Sequence, residues 1–173
     1  MSLKGKHVAI LVEQFYEEME VWYPLLRLRE AGVKVSTVGP GRAASYKGKH
    51  GYEVPEDLPI AKVKASQFHG VIVPGGYAPD HIRRTPAMIQ LVREIYQHKQ
   101  PVGSICHGPW VLASAGILKG KRVTCFSAIK DDVVNAGATY VDREVVRDGQ
   151  LITSHKPADL PAFMQTYLAA LAE

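Results

Sequence analysis

A chain of 173 residues, 46% hydrophobic, can bury one sizeable core and is short for two, so residues 1–173 read as a single domain. The formal charge of +4 is modest and the basic residues are scattered, which argues against nucleic acid as a stable partner. No apolar run approaches the roughly 18–20 residues that cross a bilayer, so no membrane partner is expected.

The opening apolar run is too short for a signal peptide and is interrupted by Glu13, so the expected location is cytoplasmic. VAILVE (8–13) has the character of a short buried strand. EEMEVWYPLLRLREAG (17–32) follows with Met19, Trp22, Leu25 and Leu26 at helical spacing, Gly32 as a stop and a kink expected at Pro24. VKVSTVGP (33–40) is a second strand. The Gly-, Tyr-, Lys- and Pro-rich stretch 41–60 predicts a hairpin or an irregular excursion, and its basic part (41–52, with Arg42, Lys47 and Lys49) reads as a solvated loop. GVIVPGG (70–76) is the next strand, and Asp80 through His98 predicts one helix with Ile82, Met88, Ile89, Leu91, Val92 and Ile95 on its apolar face. PVGSIC (101–106) is a strand leading at once into the helix HGPWVLASAGIL. KRVTCF (121–126) is a strand, IKDDVVNAG a short helix, and TYVDREVVRDGQLITS (139–154) carries a hairpin at Asp148-Gly149. An amphipathic helix, PADLPAFMQTYLAALA, closes the chain.

Short buried strands alternating with helices imply an α/β fold, a mostly parallel sheet with helices on both faces. Ligands of such sheets sit beyond the carboxyl ends of the strands. EQFYEEME, PGGYAPD and CHGPW all fall at such ends.

Cys106 stands at a strand-to-helix turn, where free helix N–H groups favour a thiolate and lower a cysteine pKa from about 8.5 into the range of roughly 3.5–7.5. Gly108 suits a sharp elbow that a side chain would crowd, so Cys106 reads as a nucleophile. Gly75 and Gly76 let backbone N–H groups approach a ligand and, with the N–H of His107, could form an oxyanion hole. His107 is adjacent to the cysteine, so its side chain is expected to point elsewhere. Its orienting acid could be Asp80, from the same chain or across a dimer interface, and a histidine satisfied by backbone is equally consistent with the sequence. Of Glu17, Glu18 and Glu20, one facing the thiol would help only if burial kept it protonated; spacing does not choose among them. Two cysteines form no disulfide framework, and CxxC, HExxH and zinc spacings are absent, so neither a metal nor a cofactor is expected.

Taken in order, EEMEVWYPLLRLREAG, KHGY, VIVPGGYAPD, SICHGPWVLASAGILKGKRVT, IKDDVVNAGATYVDREVVRDG and TSHKPADLPAFM resemble the ThiJ/PfpI superfamily, closest to its PfpI-type branch, over nearly the whole chain. The resemblance implies a flavodoxin-like three-layer α/β/α sandwich related to the class I glutamine amidotransferases. It implies Cys106 as the nucleophile, Glu20 as the carboxyl bonded to it, Glu17 in the same pocket, and an anion hole from Gly75, Gly76 and His107. It further implies that His107 pairs with Asp80 of a neighbouring subunit, so that a homodimer or higher homo-oligomer completes the site. Trp110, Phe126 and His155 stand where relatives often carry Gln, Tyr and Arg, and all three are expected to border the pocket. Cys125 reads as strand core. The activity implied is attack on a reactive carbonyl or a glycation adduct, as a deglycase or glutathione-independent glyoxalase in stress protection. The alternatives are an intracellular cysteine peptidase and a redox sensor acting through Cys106 oxidation.

Overall fold

The computed structural model describes residues 3–173, and the apolar runs of the sequence form its strands. The chain passes through His7–Leu11 (β1), Glu18–Glu30 (α1) and Lys34–Gly39 (β2). Ser45–Lys47 (β3), Glu53–Pro55 (β4) and Leu58–Pro59 (β5) occupy the stretch that read as a hairpin or excursion. Val71–Val73 (β6) leads to Ala78–Ile82 (α2) and Pro86–Gln97 (α3), and Val102–Ile105 (β7) to Pro109–Ser114 (α4). Arg122–Val123 (β8), Lys130–Asn135 (α5) and Thr139–Tyr140 (β9) precede the antiparallel pair Val145–Asp148 (β10) and Leu151–Ser154 (β11), and Leu160–Ala172 (α6) ends the chain.

Seven strands form one sheet in the order β10-β11-β7-β6-β1-β2-β5, parallel throughout except for the edge pair β10–β11. Every residue of β6 and β7 is buried, which is why these strands are continuous apolar runs and show no alternation. Helix α1 packs with α6 in one layer, while α2, α3 and α5 or their neighbours gather around α4 in the other. This is the flavodoxin-like three-layer arrangement. The carboxyl ends of β1, β6 and β7, side by side in the sheet, carry the three segments singled out in the sequence.

Two local readings change. The helix expected over 80–98 is two helices, because Thr85 precedes Pro86 and is driven to an extended conformation (φ −108, ψ 96). The strand expected over 121–126 shrinks to β8, which pairs only with β9 in a separate two-stranded sheet. Beyond it the chain turns toward the site, where Thr124 N–H donates to Thr153 Oγ1 at 2.9 Å and Phe126 N–H to the Cys106 carbonyl at 3.0 Å. Pro24 lies inside α1, and the helix continues past it to Glu30.

Candidate active site

A cavity of about 250 Å³ opens at the carboxyl edge of the sheet, walled by Glu17, Glu20, Lys49, Cys106, His107 and Phe126 among others. A roomier cleft of about 410 Å³ lies at the opposite strand ends, among Lys6, Lys99, Arg147 and Glu173, and contains no nucleophile.

Cys106 follows β7 directly and adopts φ +60, one of three non-glycine residues with positive φ among those described. Such a backbone costs on the order of 1–3 kcal/mol and persists only where its surroundings hold it. Here they do: Cys106 N–H donates to the Ser154 carbonyl at 3.0 Å, and its carbonyl accepts from Phe126. Gly108 is required for space, since a Cβ there would lie 2.5 Å from Ser104 Oγ and 2.6 Å from the Val73 carbonyl. The strained elbow therefore turns the sulfur into the cavity.

His107 does not point away as expected. Its Nδ1 lies 3.2 Å from Cys106 Sγ, across the left-handed backbone at Cys106. The ring is stacked on Phe126 at 5.1 Å and edge-on to Trp110 at 5.2 Å. Burial, then the nearby Lys49 charge, holds the imidazole pKa below its usual value. At neutral pH the ring is therefore the neutral form, and the tautomer protonated at Nε2 presents Nδ1 as a base to the thiol.

Glu20 is wholly buried. Its Oε2 accepts the Gly75 N–H at 2.6 Å, while Oε1 has no conventional hydrogen-bond partner. Burial pushes its pKa up to about 8 despite the Gly75 N–H and the adjacent thiol, which oppose the shift. At neutral pH it is therefore mostly a carboxylic acid with a proton to donate. Sequence spacing left three glutamates open here, and burial selects Glu20.

The thiol corrects the expectation of a lowered pKa. Burial first, then the negative charge of Glu20, push Cys106 up to about 12, against the backbone N–H groups of Gly76 and His107. The helix that follows has only six residues, and its start does not offset burial. Protonating Glu20 removes that opposing charge, so the sulfur ionises most readily when Glu20 holds its proton. Gly75 differs from the expectation: its N–H is taken by Glu20, which leaves the N–H groups of Gly76 and His107 as the backbone donors acting on the sulfur. No side chain fits at Gly75, where a Cβ would sit 2.5 Å from Glu20 Oε2 and 2.7 Å from Cys106 Cβ.

The remaining expected residues divide. Glu17 and Phe126 line the cavity. Asp80 does not reach His107 within the chain; it pairs with Arg84 at 2.7 Å. It lies instead beside a neighbouring apolar groove of about 570 Å³ with Phe15, Tyr77, His81 and Trp110. Trp110 therefore borders the groove, its indole N–H donating to Asp132 at 2.8 Å. His155 sits between Asp142 (3.4 Å) and Asp159 (3.6 Å) in a separate recess that shares only Phe126 with the thiol cavity. Cys125 is fully buried, as its core reading implied, although it lies past the end of β8 and not in a strand. Lys49 was missed: it lines the cavity and places Nζ 2.6 Å from Glu17 Oε2. The signal was its position in a basic, glycine-flanked loop, which alone does not separate a solvated lysine from a docked one.

The chain matches the DJ-1/PfpI family over residues 6–170. It is 41% identical to deglycase PH1704 of Pyrococcus horikoshii over 95% of this chain and 98% of that one. It is 38% identical to YraA of Bacillus subtilis, provisionally named a cysteine protease, over 96% and 99% of the two chains. A two-domain protein of Anabaena variabilis, with DJ-1/ThiJ/PfpI-like and ferritin-like domains, superposes with a TM-score of 0.94 at 42% identity; the match covers 96% of this chain and 48% of that one. A strained cysteine elbow over a buried carboxyl, on this sheet and with these relatives, places the chain in the DJ-1/PfpI family.

Proposed function

We propose that this protein is a Cys106-dependent enzyme that acts on reactive carbonyls and the glycation adducts they form. The observation that carries the reading is the grouping of Sγ, the neutral His107 imidazole at 3.2 Å and a mostly protonated buried Glu20 around a cavity of about 250 Å³. His107 accepts the thiol proton and the sulfur adds to the aldehyde carbon of methylglyoxal. The carbonyl oxygen becomes the alcohol of a hemithioacetal by taking a proton from Glu20. Glu20, now a carboxylate, takes the hydrogen from that carbon and returns it to the neighbouring one, while the hemithioacetal hydroxyl passes its proton to the ketone oxygen, so that the ketone becomes an alcohol and the first carbon a thioester carbonyl. The thioester so formed is hydrolysed to lactate with release of the thiol. Water is the only co-reactant. On an adduct, the same thiol and carboxyl release the amine from its carbonyl. The 41% identical relative is named a deglycase, which supports this reading.

The site is completed by a second copy of the chain in the cytoplasm. Among the described residues the second His107 nitrogen has no hydrogen-bond partner, and the adjoining groove exposes Tyr77 (67%) and Phe15 (50%) beside Asp80. Asp80→Ala is expected to lower activity and, by light scattering, the associated fraction.

Peptide hydrolysis is the second reading, favoured by the relative named as a cysteine protease and by the imidazole on the thiol. Turnover of methylglyoxal, of a glycated peptide and of an unblocked peptide by wild type and Cys106→Ala separates the two. Conversion of the first two by wild type alone is expected. Cleavage of the unblocked peptide without carbonyl turnover reverses the assignment.

A further inference from the structure

The cavity around the sulfur contains one cation among the described residues, Lys49, and it is delivered from outside the main sheet. Strands β3 and β4 form a hairpin whose turn, residues 48–52, folds onto the approach to α1. Phe15 N–H donates to the Lys47 carbonyl at 2.7 Å, and Lys49 N–H to the Tyr16 carbonyl at 2.9 Å. Tyr16 Oη donates to the Tyr52 carbonyl at 2.7 Å. Glu18 then closes the turn: its carboxylate accepts His50 N–H at 2.6 Å and lies 2.9 Å from His50 Nδ1. A Cβ at Gly48 would come within 2.3 Å of that carboxylate, so a side chain there would push Glu18 out of the latch. A solvated loop needs none of these attachments.

We propose that Lys49 is a positioning residue for the reaction at Cys106: its ammonium, held over the cavity by the Glu18–His50 latch, offsets negative charge on the sulfur, and Glu17 limits how much of that offset the sulfur receives. The proposal rests on Cys106 as the nucleophile. The titratable groups that line the cavity with the sulfur are Glu17 and Glu20 from the start of α1, Lys49 from the hairpin, His107 from the elbow and Tyr77, with Asp132 of α5 acting on His107. With Glu20 protonated and His107 neutral, Glu17 and Lys49 cancel, and ionising the sulfur leaves one negative charge. Without Lys49 the sulfur and Glu17 would both be negative in a largely buried space. Lys49 is itself coupled to Cys106 and Glu20 as well as to Glu17.

The test is the pH dependence of Cys106 alkylation by iodoacetamide, followed on the Cys106 peptide by mass spectrometry so that Cys125 does not contribute. Lys49→Gln is expected to slow alkylation about tenfold at fixed pH and move the profile to higher pH, while Glu17→Gln speeds it by about the same factor. Lys49→Arg should stay within a few-fold of wild type, and Glu17→Gln/Lys49→Gln should return close to it. Glu18→Ala removes a negative charge, which alone would speed alkylation; loss of the latch should instead slow it. Thermal melts confirm that each variant is folded, and Lys49→Met replaces Lys49→Gln should the latter unfold. Changes of the same sign in Lys49→Gln and Glu17→Gln, or no change in either, overturn the proposal and leave Lys49 as a pin for the turn. Alkylation needs no substrate, so absent carbonyl turnover would sink the proposed reaction without touching this result.

Discussion

The two cysteines look alike by the measures most often used to find a nucleophile. Cys106 and Cys125 are both buried, and both thiols are pushed up to about 12, chiefly by burial. What separates them is arrangement. Cys106 sits on a left-handed backbone with an imidazole nitrogen at 3.2 Å, two backbone N–H donors and a mostly protonated carboxyl. Beyond burial, it is the charge of Asp132 that acts on the Cys125 thiol. Burial sets the resting state of both; Cys106 alone has neighbours placed to move a proton, which is what the proposed reaction requires.

The contrast breaks most sharply by exchange of each sulfur. Cys106→Ser is expected to lower kcat/KM by about 10³ or more, since the hydroxyl is a far weaker nucleophile than the thiol. Cys125→Ala should stay within about twofold in activity and lose about 1 kcal/mol of stability to the small cavity it leaves, read from urea midpoints.

Gly75→Ala should make Cys106 more like Cys125. Its Cβ would displace Glu20 from the sulfur, and kcat is expected to fall by about a hundredfold, the scale of a misplacement of about 1 Å at the reacting groups. Circular dichroism should show the fold retained.

Glu20→Gln keeps the shape and removes the titration. Because burial raises the Glu20 pKa from 4.5 to about 8, the folded protein binds the extra proton between those values. The stability that this proton gives wild type is complete below pH 4.5 and is lost as pH rises through about 8. The unfolding free energy of Glu20→Gln relative to wild type should therefore climb across that window and level off above it. A flat difference would mean that Glu20 is ionised throughout.

The smallest effect is expected at the rim. Trp110→Phe removes the indole donor to Asp132 and should cost about 1 kcal/mol, with kcat nearly unchanged.

Much of this was legible in the sequence. The strand runs at 8–13, 70–76 and 101–106 located the carboxyl edge of the sheet, and Cys106 with Gly108 located the elbow. Glu20 could be named as the buried acid only through family resemblance, because three glutamates within four positions present the same local pattern. The direction of the thiol shift was misread because burial is a property of the packed cavity, whereas the helix start is visible locally. Lys49 escaped because its own contacts with Tyr16 and Glu17, like those of its turn with Phe15 and Glu18, join segments about thirty residues apart, which composition does not register. The split between α2 and α3 was marked by Thr85-Pro86 and was outweighed by the apolar periodicity on either side.

The neighbouring N–H groups of Gly75 and Gly76 have opposite employments, one supporting Glu20 and the other facing the sulfur. Loops at strand ends ordinarily accept insertions and deletions. Here a change of one residue between Val73 and Tyr77 would hand each N–H the other's task, leaving the acid unsupported and the sulfur short of a donor. The length of this loop is thus under a constraint that its surface position does not suggest, and functional variation should enter through substitutions around it.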